Sequence, residues 1–274
     1  MANLQSAIPN PQSKIIPLSE TPALVPPNAT LGLGGMTLYR RPVAFVRELI
    51  RHSNSNPNSN SLTLLAFTAS YESDLLVGAG LVKRVRSCYF GLEAFGLAPM
   101  FTQAANLGEI EIIEETEASL AFGIRAALAN VGFMAGRGWL GTDLPTLRPD
   151  VKTVTDPYNG ETLIAYPAIH CDVAVIHALK ADRAGNAIIG GNMGVDVELA
   201  ILADTTIITA EEIVDSLERA DIPGPAVRAV AHAPRGAWPT SCHPLYPLGG
   251  GELLNYIDAC NSEGFDDYVR RLQS

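Results

Sequence analysis

The stretch Leu31-Gly32-Leu33-Gly34-Gly35-Met36 ends the first predicted strand and turns toward the first predicted helix. Glycine adopts backbone dihedral angles that other residues avoid, and it lets backbone N–H groups approach a ligand closely. The helix that follows has Pro42 near its first turn, so a helix N-terminus adds a partial positive charge at the same place. The stretch therefore predicts a site for a phosphate, or for the negative oxygen of a thioester under attack.

Apolar, β-branched segments alternate with amphipathic segments along the chain, a pattern typical of a mostly parallel sheet covered by helices. Predicted strands cover residues 30–33, 62–67, 85–90, 172–177, 187–189, 205–209 and 227–231. Predicted helices cover residues 42–51, 74–79, 117–130, 195–203 and 252–272. The pattern predicts a three-layer α/β/α fold, with one open α/β domain over residues 29–274. We expect residues 1–28 to form a partly ordered N-terminal arm and the Ser- and Asn-rich residues 53–60 to form a flexible loop.

The composition excludes several classes of partner and site. A formal net charge of −10 argues against nucleic acid or an anionic membrane as the main partner. The four cysteines include no C-x-x-C pair, which disfavours zinc-ribbon and thioredoxin-type sites. No apolar run approaches the roughly 18 residues of a membrane span, and residues 1–28 lack a signal-peptide pattern. We therefore expect a cytoplasmic protein with reduced thiols.

A nucleotide site is disfavoured by the residues around the glycine turn. The dinucleotide fingerprint G-x-G-x-x-G requires glycine where Thr37 stands, and the lysine of a phosphate-binding loop is missing. The acidic residue expected about 20 positions later is missing too, because that region is the Ser- and Asn-rich segment. A tight strand-to-helix turn with no ligand remains the simpler structural alternative.

Glu93 is the second candidate for chemistry. It lies within residues 89–99, Tyr-Phe-Gly-Leu-Glu-Ala-Phe-Gly-Leu-Ala-Pro, directly after a predicted strand. A carboxylate among apolar neighbours loses hydration, which suits it to acid–base chemistry or to nucleophilic attack on a thioester. The alternative is a carboxylate that caps a backbone turn or faces solvent.

The histidines predict neither a metal site nor a hydrolase triad. Metal-ligand spacing is absent from the set His170, His177, His232 and His243. His177 ends a predicted core strand, which favours a structural role for its ring. The run Thr240-Ser241-Cys242-His243 places nucleophile types beside a histidine, but the chain has no G-x-S-x-G motif.

Several segments together resemble the class I coenzyme A transferases, specifically the α (A) subunit of the glutaconate CoA-transferase type. Residues 33–36 resemble the G-x-G-G-F turn of that family, with Met36 in place of the usual Phe. Residues 41–49, Arg-Pro-Val-Ala-Phe-Val-Arg-Glu-Leu, are similar to the helix that follows the turn there. Further similar segments lie at residues 133–144, 156–161, 167–178, 181–187 and 211–214, so that the similarity runs from about residue 32 to residue 246.

This resemblance implies a CoA-transferase-like α/β domain that moves CoA between an acyl-CoA and a carboxylate acceptor, with no tightly bound cofactor and no metal. The family's nucleophilic glutamate lies in a S-E-N-G-like motif, normally on a β subunit, and this chain contains no Glu-Asn-Gly. The resemblance therefore implies a β-type partner in a heterodimer or heterotetramer. Related pairs include ring-opening CoA-ester hydrolases of steroid degradation and decarboxylases, and Glu93 best fits the glutamate that the hydrolase branch places on the α chain. A non-catalytic scaffold subunit is the remaining alternative.

The resemblance also assigns candidate roles at the site. The backbone N–H groups of Gly34, Gly35 and Met36 are candidates for stabilising the thioester oxygen. A second carboxylate on the acyl group would pair with a guanidinium, and this pairing would favour a dicarboxylic acid mono-CoA ester. The candidate guanidinium groups are those of Arg40, Arg41 and Arg137.

Overall fold

A computed structural model describes residues 13–53 and 61–273 of the chain. Within these ranges the main sheet has the strand order β11-β10-β8-β1-β2-β3-β4, and all of these strands run parallel. A short strand, β9, pairs antiparallel with β8. The strands are β1 (Thr30–Leu33), β2 (Leu62–Ala66), β3 (Val82–Ser87), β4 (Glu111–Glu114), β8 (Val173–Asp182), β9 (Ala187–Ile188), β10 (Thr205–Val214) and β11 (Ala229–His232).

Helices cover both faces of this sheet. One face carries α1 (Val43–Ser53), α2 (Tyr71–Gly78), α3 (Pro99–Leu107), α7 (Gly250–Asn261) and α8 (Phe265–Gln273). The opposite face carries α4 (Glu117–Leu128) and α6 (Asp196–Leu202). The expected three-layer α/β/α fold with a mostly parallel sheet is confirmed. No helix in the described ranges is long and apolar enough to cross a membrane.

The alternation of leucine and glycine in β1 follows from the two-residue period of a strand. Leu31 and Leu33 point into the core beneath α1 and α2. Gly32 lies on the other face, where an added Cβ would come within 2.8 Å of the Cys171 sulfur and 3.1 Å of Leu199 on α6. An added Cβ at Gly34 would lie 2.9 Å from Ile176. These glycines therefore serve close packing of α6 onto the centre of the sheet.

A second sheet occupies a region in which the sequence pattern predicted no strands. Within the described residues its antiparallel order is β5-β7-β6, with β5 (Phe133–Gly136), β6 (Lys152–Thr155) and β7 (Thr162–Pro167). A short helix, α5 (Leu144–Leu147), lies between β5 and β6. The second sheet has a small core of its own, which is formed by Trp139, Ile164 and Tyr166 and packs against Phe122 of α4. Each of these strands is short, and glycines and prolines interrupt the region. The sequence pattern therefore gave no clear strand signal here.

Some predicted boundaries are wrong. The single helix predicted over residues 252–272 is two helices, α7 and α8, separated by residues 262–264. The strand predicted over residues 85–90 begins and ends three residues earlier, as β3. The start of this strand was missed because its adjacent charged residues, Lys83 and Arg84, are both exposed and interrupt the apolar pattern.

The expected N-terminal arm and flexible loop fall partly outside the described ranges, which omit residues 1–12 and 54–60. Residues 13–28 contain a 3₁₀ helix, Leu18–Leu24, that contacts α1 and β11. Ile15 forms an isolated parallel bridge with Val230. The described part of the arm is therefore packed on the domain.

The buried carboxylate of Asp74 in α2 joins α3 and the C-terminal helix α7. It accepts hydrogen bonds from the N–H groups of Phe101 at 2.6 Å and Met100 at 3.2 Å, at the start of α3. It also accepts a hydrogen bond from the Tyr256 hydroxyl of α7 at 2.6 Å. Burial raises the pKa of Asp74 to about 6, because the charged form loses its hydration. One side chain of α2 thus positions both α3 and α7.

The strand order places the carboxyl ends of β1 and β8 at a topological switch point. The chain runs outward from β1 through β2, β3 and β4 on one side, and through β8, β10 and β11 on the other. In open α/β sheets, ligands bind at the carboxyl ends of strands where the order reverses. The glycine turn directly after β1 lies at this point.

We expect Gly32→Ala to lower the free energy of unfolding by about 1–3 kcal/mol, because its Cβ would force Cys171 or Leu199 to shift. Urea denaturation measures the change. Gly251→Ala in α7 is the matched control, since an added Cβ there meets nothing within 4 Å and alanine favours a helix by up to about 1 kcal/mol. Equal stability of the two variants would contradict the packing role of Gly32.

Candidate functional site

The N–H groups of the glycine turn are bound to protein acceptors. The Gly34 N–H donates to the carbonyl of Val175 at 2.9 Å, and the Met36 N–H donates to the carbonyl of Tyr39 at 3.0 Å. The Gly35 N–H donates to both carboxylate oxygens of Asp196, at 2.9 and 3.1 Å. The turn as folded has no free donor among these three groups. This geometry does not support the predicted oxyanion site at Gly34, Gly35 and Met36.

Gly35 is required by the shape of the turn itself. Its φ of +91° lies in the region that favours glycine, and an added Cβ would lie 2.7 Å from the carbonyl oxygens of Tyr39 and Arg40. A substitution at Gly35 therefore reports on folding of the turn and gives no test of catalysis.

Arg40 is an internal structural residue, which corrects the role predicted for it. Its side chain is fully buried and forms a 2.7 Å ion pair with Asp196, and it also donates to the carbonyl of His177 at 2.9 Å. The same Asp196 carboxylate accepts from Gly35. One buried carboxylate thus connects the glycine turn, Arg40 and the start of α6. A substrate carboxylate cannot reach this guanidinium without displacing Asp196.

Arg41 holds the other side of the turn, and its predicted role is corrected for the same reason. Its fully buried guanidinium forms a 2.5 Å ion pair with Glu72 of α2. It also donates to the carbonyls of Gly35 at 2.7 Å and Thr68 at 2.8 Å. Arg41 therefore joins the turn to the end of β2 and faces no ligand space.

Arg137 lies in a different part of the molecule. It follows β5 of the small sheet, where its side chain is two-thirds exposed. Its Nε and Nη2 donate to the two carboxylate oxygens of Glu161 in a bidentate pair. The structure gives no contact between Arg137 and the glycine turn, among the residues it describes.

Glu93 is exposed, which corrects the expectation that apolar neighbours would bury it. Within its segment Leu92 is fully buried and holds the loop in place, whereas Leu97 is exposed like Glu93. The Glu93 N–H donates to the Tyr89 hydroxyl at 3.1 Å, and its carbonyl accepts from Gly96 at 3.1 Å. Glu93 thus projects from a tight turn that is held at both ends.

Three of the eight non-glycine residues with a positive φ in the described part of the chain lie in the turn and at Glu93. Thr37, Arg40 and Glu93 have φ angles of +44°, +55° and +54°, a region that non-glycine residues rarely adopt. Each such residue costs on the order of 1–3 kcal/mol, and such strain clusters at active sites and ligand clamps. The strain at these three residues fits a site at this edge of the sheet.

Hydrogen bonds connect the glycine turn to the Glu93 turn along the carboxyl edge of the sheet. The Thr37 N–H donates to the Thr68 hydroxyl at 2.7 Å, beyond the end of β2. The next residue, Ala69, donates to the carbonyl of Tyr89 at 2.7 Å, and Tyr89 contacts Glu93. The two sequence-predicted features thus lie on the same edge, at the ends of neighbouring strands.

A second glycine-rich loop, residues 190–194 (Gly-Gly-Asn-Met-Gly), joins β9 to α6 at this edge and was missed by the sequence interpretation. Residues 191–194 are exposed, and Met36 packs against Gly194, where an added Cβ would lie 2.7 Å from the Met36 sulfur. In the described part of the chain, the N–H groups of residues 191–194 donate to no protein acceptor. The three glycines in five residues before a helix were the available sequence signal.

A buried polar cluster lies under the loop that follows β11. The Glu211 carboxylate accepts from His177 Nε2 at 2.8 Å, from the Arg235 N–H at 2.6 Å and from the Tyr246 hydroxyl. Burial lowers the pKa of His177, so the ring is neutral and its Nδ1 accepts from the Thr209 hydroxyl at 2.9 Å. The structural role predicted for His177 is confirmed.

The same cluster contains a group with the composition of a metal site. His177, Glu211 and Cys242 each bring a ligand atom within 4.8 Å of the others. Burial raises the pKa of the Cys242 thiol to about 11, and the buried Arg40 guanidinium donates to the His177 carbonyl nearby. Because Glu211 already accepts three hydrogen bonds and a cation lies close, the arrangement fits a hydrogen-bonded anchor better than a metal centre. Sequence spacing could not reveal it, since its members come from separate segments.

Comparison with known proteins gives consistent matches over most of the chain. The family model described as Coenzyme A transferase matches residues 18–233. One subunit, designated A, of the 3-oxoadipate CoA-transferase of Pseudomonas knackmussii is 35% identical over 224 residues, covering 79% of this chain and 77% of that protein. The cholesterol ring-cleaving hydrolase IpdA subunit of Mycobacterium tuberculosis is 30% identical over 263 residues, covering 88% and 86%.

Solved structures of two further enzymes share the fold. Glutaconate coenzyme A-transferase from Acidaminococcus fermentans matches with a TM-score of 0.85 and 29% identity, covering 94% of this chain and 88% of that one. The decarboxylase AibA/AibB matches with a TM-score of 0.88 and 29% identity, covering 95% and 98%. The similar proteins thus include a transferase, a hydrolase and a decarboxylase.

We expect Asp196→Ala to lower the free energy of unfolding by about 3–5 kcal/mol, because it leaves the Arg40 guanidinium buried without its counter-ion. Chemical denaturation of the full chain measures the loss. Adding Arg40→Met to the same chain should recover part of the loss, since the unpaired charge is then removed.

The matched control is Glu198→Ala on the same helix. Glu198 forms a solvent-exposed pair with Arg125 at 3.2 Å, so its loss should cost less than about 1 kcal/mol. If Asp196→Ala were no more destabilising than Glu198→Ala, the buried carboxylate would not be the anchor of the turn.

Proposed function

Because the chain belongs to the coenzyme A transferase family, we propose that it is the α-type subunit of a heteromeric enzyme that moves CoA from an acyl-CoA to a carboxylate acceptor. The observation that carries the proposal is the position of Glu93. It projects from a strained turn at the carboxyl edge of the sheet, two strands from the switch point beside the glycine turn. An exposed carboxylate at this edge is what we expect of an active site that a second subunit completes.

In the proposed transfer reaction, a glutamate of the β-type partner attacks the thioester carbonyl of the acyl-CoA. The thiolate of CoA leaves as an acyl-glutamyl anhydride forms. CoA thiolate then attacks the glutamyl carbonyl, releases the acyl group as a carboxylate and leaves a glutamyl-CoA thioester. The acceptor carboxylate repeats these steps in reverse order and departs as the new thioester.

This chain supplies the carboxylate of Glu93 and the fixed surface around it. We propose that the partner covers Glu93 in the complex, so that the reacting thioester lies between the two subunits, away from bulk water. Exclusion of water there would protect the anhydride and the glutamyl-CoA thioester from hydrolysis. The glycine turn contributes by packing, because Asp196, Tyr39 and Val175 occupy its N–H groups.

Hydrolysis is the second candidate reaction, and the similarity to the ring-cleaving hydrolase subunit IpdA favours it. A carboxylate within reach of water can act as a general base and activate a water molecule for attack on the thioester. The similar IpdA subunit is named as part of a ring-cleaving hydrolase, and AibA/AibB as a decarboxylase. Transfer and hydrolysis differ in the acceptor, so product identification separates them.

The acyl group is proposed to carry a second carboxylate. Two of the similar enzymes are named for 3-oxoadipate and glutaconate, and both acids have two carboxylates. The three arginines predicted to bind such a group do not support this part of the proposal, because Arg40 and Arg41 are buried in ion pairs and Arg137 pairs with Glu161. Recognition of the second carboxylate requires other donors.

We expect Glu93→Gln to lower turnover of the assembled complex by at least about 100-fold, since the variant keeps the shape but removes the charge. Product formation from an acyl-CoA, measured with the partner present, gives the rate. Glu263→Gln is the matched control, because Glu263 is also exposed and has a φ of +59°. Comparable rates for both variants would assign this chain a scaffold role.

Glu93→Gly should separate strain from function. Glycine adopts the +54° φ angle without a Cβ penalty, so stability should rise by up to about 1 kcal/mol. Activity should fall as far as in Glu93→Gln. Thermal denaturation and turnover are measured on the same sample, and a variant that loses stability would show that this backbone position is not strained.

A further inference from the structure

A groove of about 390 Å³ opens beside the glycine turn, and neither the predicted site residues nor the proposed mechanism uses it. Its walls are Tyr39, Leu179, His243 and Pro244, together with the start of the loop 190–194. We call it the Tyr39 groove. Because Tyr39 belongs to the turn after β1, the groove lies at the switch-point edge where ligands of such sheets bind.

The Tyr39 groove combines apolar walls with a few polar groups that have no partner. Leu179, Pro244 and the Tyr39 ring supply the apolar surface. In the described part of the chain, the Tyr39 hydroxyl, the Asn192 amide and the His243 ring have no hydrogen-bond partner. An apolar pocket with a small number of convergent polar groups is the typical form of a small-molecule site.

Each polar group in the groove can donate a hydrogen bond. A Tyr hydroxyl, an Asn amide and a His ring each offer a donor, and the N–H groups of Gly191 and Asn192 add backbone donors that no protein acceptor occupies. No acidic side chain lines the groove in the described residues. The groove thus suits an oxygen-bearing, electron-rich group at the end of an apolar stem, which describes a carboxylate on an acyl chain.

Two of the walls, Tyr39 and the segment of His243 and Pro244, are held from behind. The Arg40 N–H donates to the carbonyl of Ser241 at 2.7 Å, and the Arg40 guanidinium lies 5.4 Å from the centre of the Tyr39 ring. The segment carrying His243 and Pro244 is anchored where the Tyr246 hydroxyl donates to Glu211. A preorganised groove loses little entropy when it binds a ligand.

We propose that the Tyr39 groove is the subsite that binds the distal carboxylate of a dicarboxylic acyl group. The proposal rests on the proposed function, because the acyl group is that of the thioester. It replaces the buried arginines with the Tyr39 hydroxyl, the Asn192 amide and the His243 ring as the recognising donors. The apolar stem of the acyl group lies against Leu179 and Pro244.

The test compares two thioesters that differ only at the distal end: glutaryl-CoA, with a carboxylate, and pentanoyl-CoA, with a methyl group. Dissociation constants are measured by equilibrium dialysis with the assembled complex, and kcat/KM is measured in parallel. The variants are Tyr39→Phe, Asn192→Gly and His243→Ala, and glycine is chosen because Asn192 has a φ of +51°. His170→Ala is the control, since this exposed histidine precedes the amino end of β8 at the opposite edge of the sheet.

The wild-type complex should bind glutaryl-CoA at least about tenfold more tightly than pentanoyl-CoA. Each groove variant should reduce that ratio, and His243→Ala should reduce it by about tenfold or more, the value of one hydrogen bond to an ionised group. His170→Ala should keep the wild-type ratio. A ratio unchanged in all three groove variants, or no wild-type preference, would overturn the groove proposal.

The groove proposal and the proposed function can fail independently, and the binding ratio and the turnover together show which of them is wrong. Turnover that depends on Glu93 with a binding ratio independent of the groove would overturn only the groove. A groove-dependent binding ratio with neither transfer nor hydrolysis of either thioester would support the groove and overturn the proposed function.

Discussion

The buried carboxylate of Asp196 is the interaction on which the centre of the molecule depends. Its two oxygens share the single N–H of Gly35, and it pairs with the Arg40 guanidinium, all away from water. A charge at this depth is stable only when its partners are fixed, and removing one of them is costly. The start of α6 therefore fixes the conformation of the strained turn after β1. This helix can pack close to β1 because Gly32 and Gly34 have no side chain.

This constraint determines what the switch-point edge can offer to a ligand. The N–H groups of the turn donate hydrogen bonds to protein acceptors and are not available to a ligand. The surface that a ligand can reach at this edge therefore includes the Glu93 turn beyond β3 and the Tyr39 groove beside the loop 190–194. Both features are exposed in the single chain. The family's relatives named as subunits fit this arrangement, since a second subunit would cover the exposed carboxylate and complete the site.

Local patterns were sufficient to predict the fold class but not the partners of individual residues. The period of the strands and the glycine density after β1 identified the sheet and its turn. Arg40 and Arg41 were interpreted as ligand-binding because their counter-ions, Asp196 and Glu72, lie 156 and 31 residues away along the chain. Glu93 was expected to be buried because its neighbours are apolar, whereas the tight turn buries Leu92 and Ala98 and leaves Glu93 exposed together with Leu97. The small antiparallel sheet was missed, since its short strands lack a clear period.

The position of the site can be tested directly with an acyl-CoA thioester that carries a photoreactive diazirine at the end of its acyl chain. The assembled complex is irradiated with this reagent, and the labelled peptides are identified by mass spectrometry. We expect label on this chain in the Tyr39 groove or the Glu93 turn, and unmodified acyl-CoA should compete it away. Competable label confined to the partner, or to the small sheet around Arg137, would contradict a site at the carboxyl edge of β1, β2 and β3.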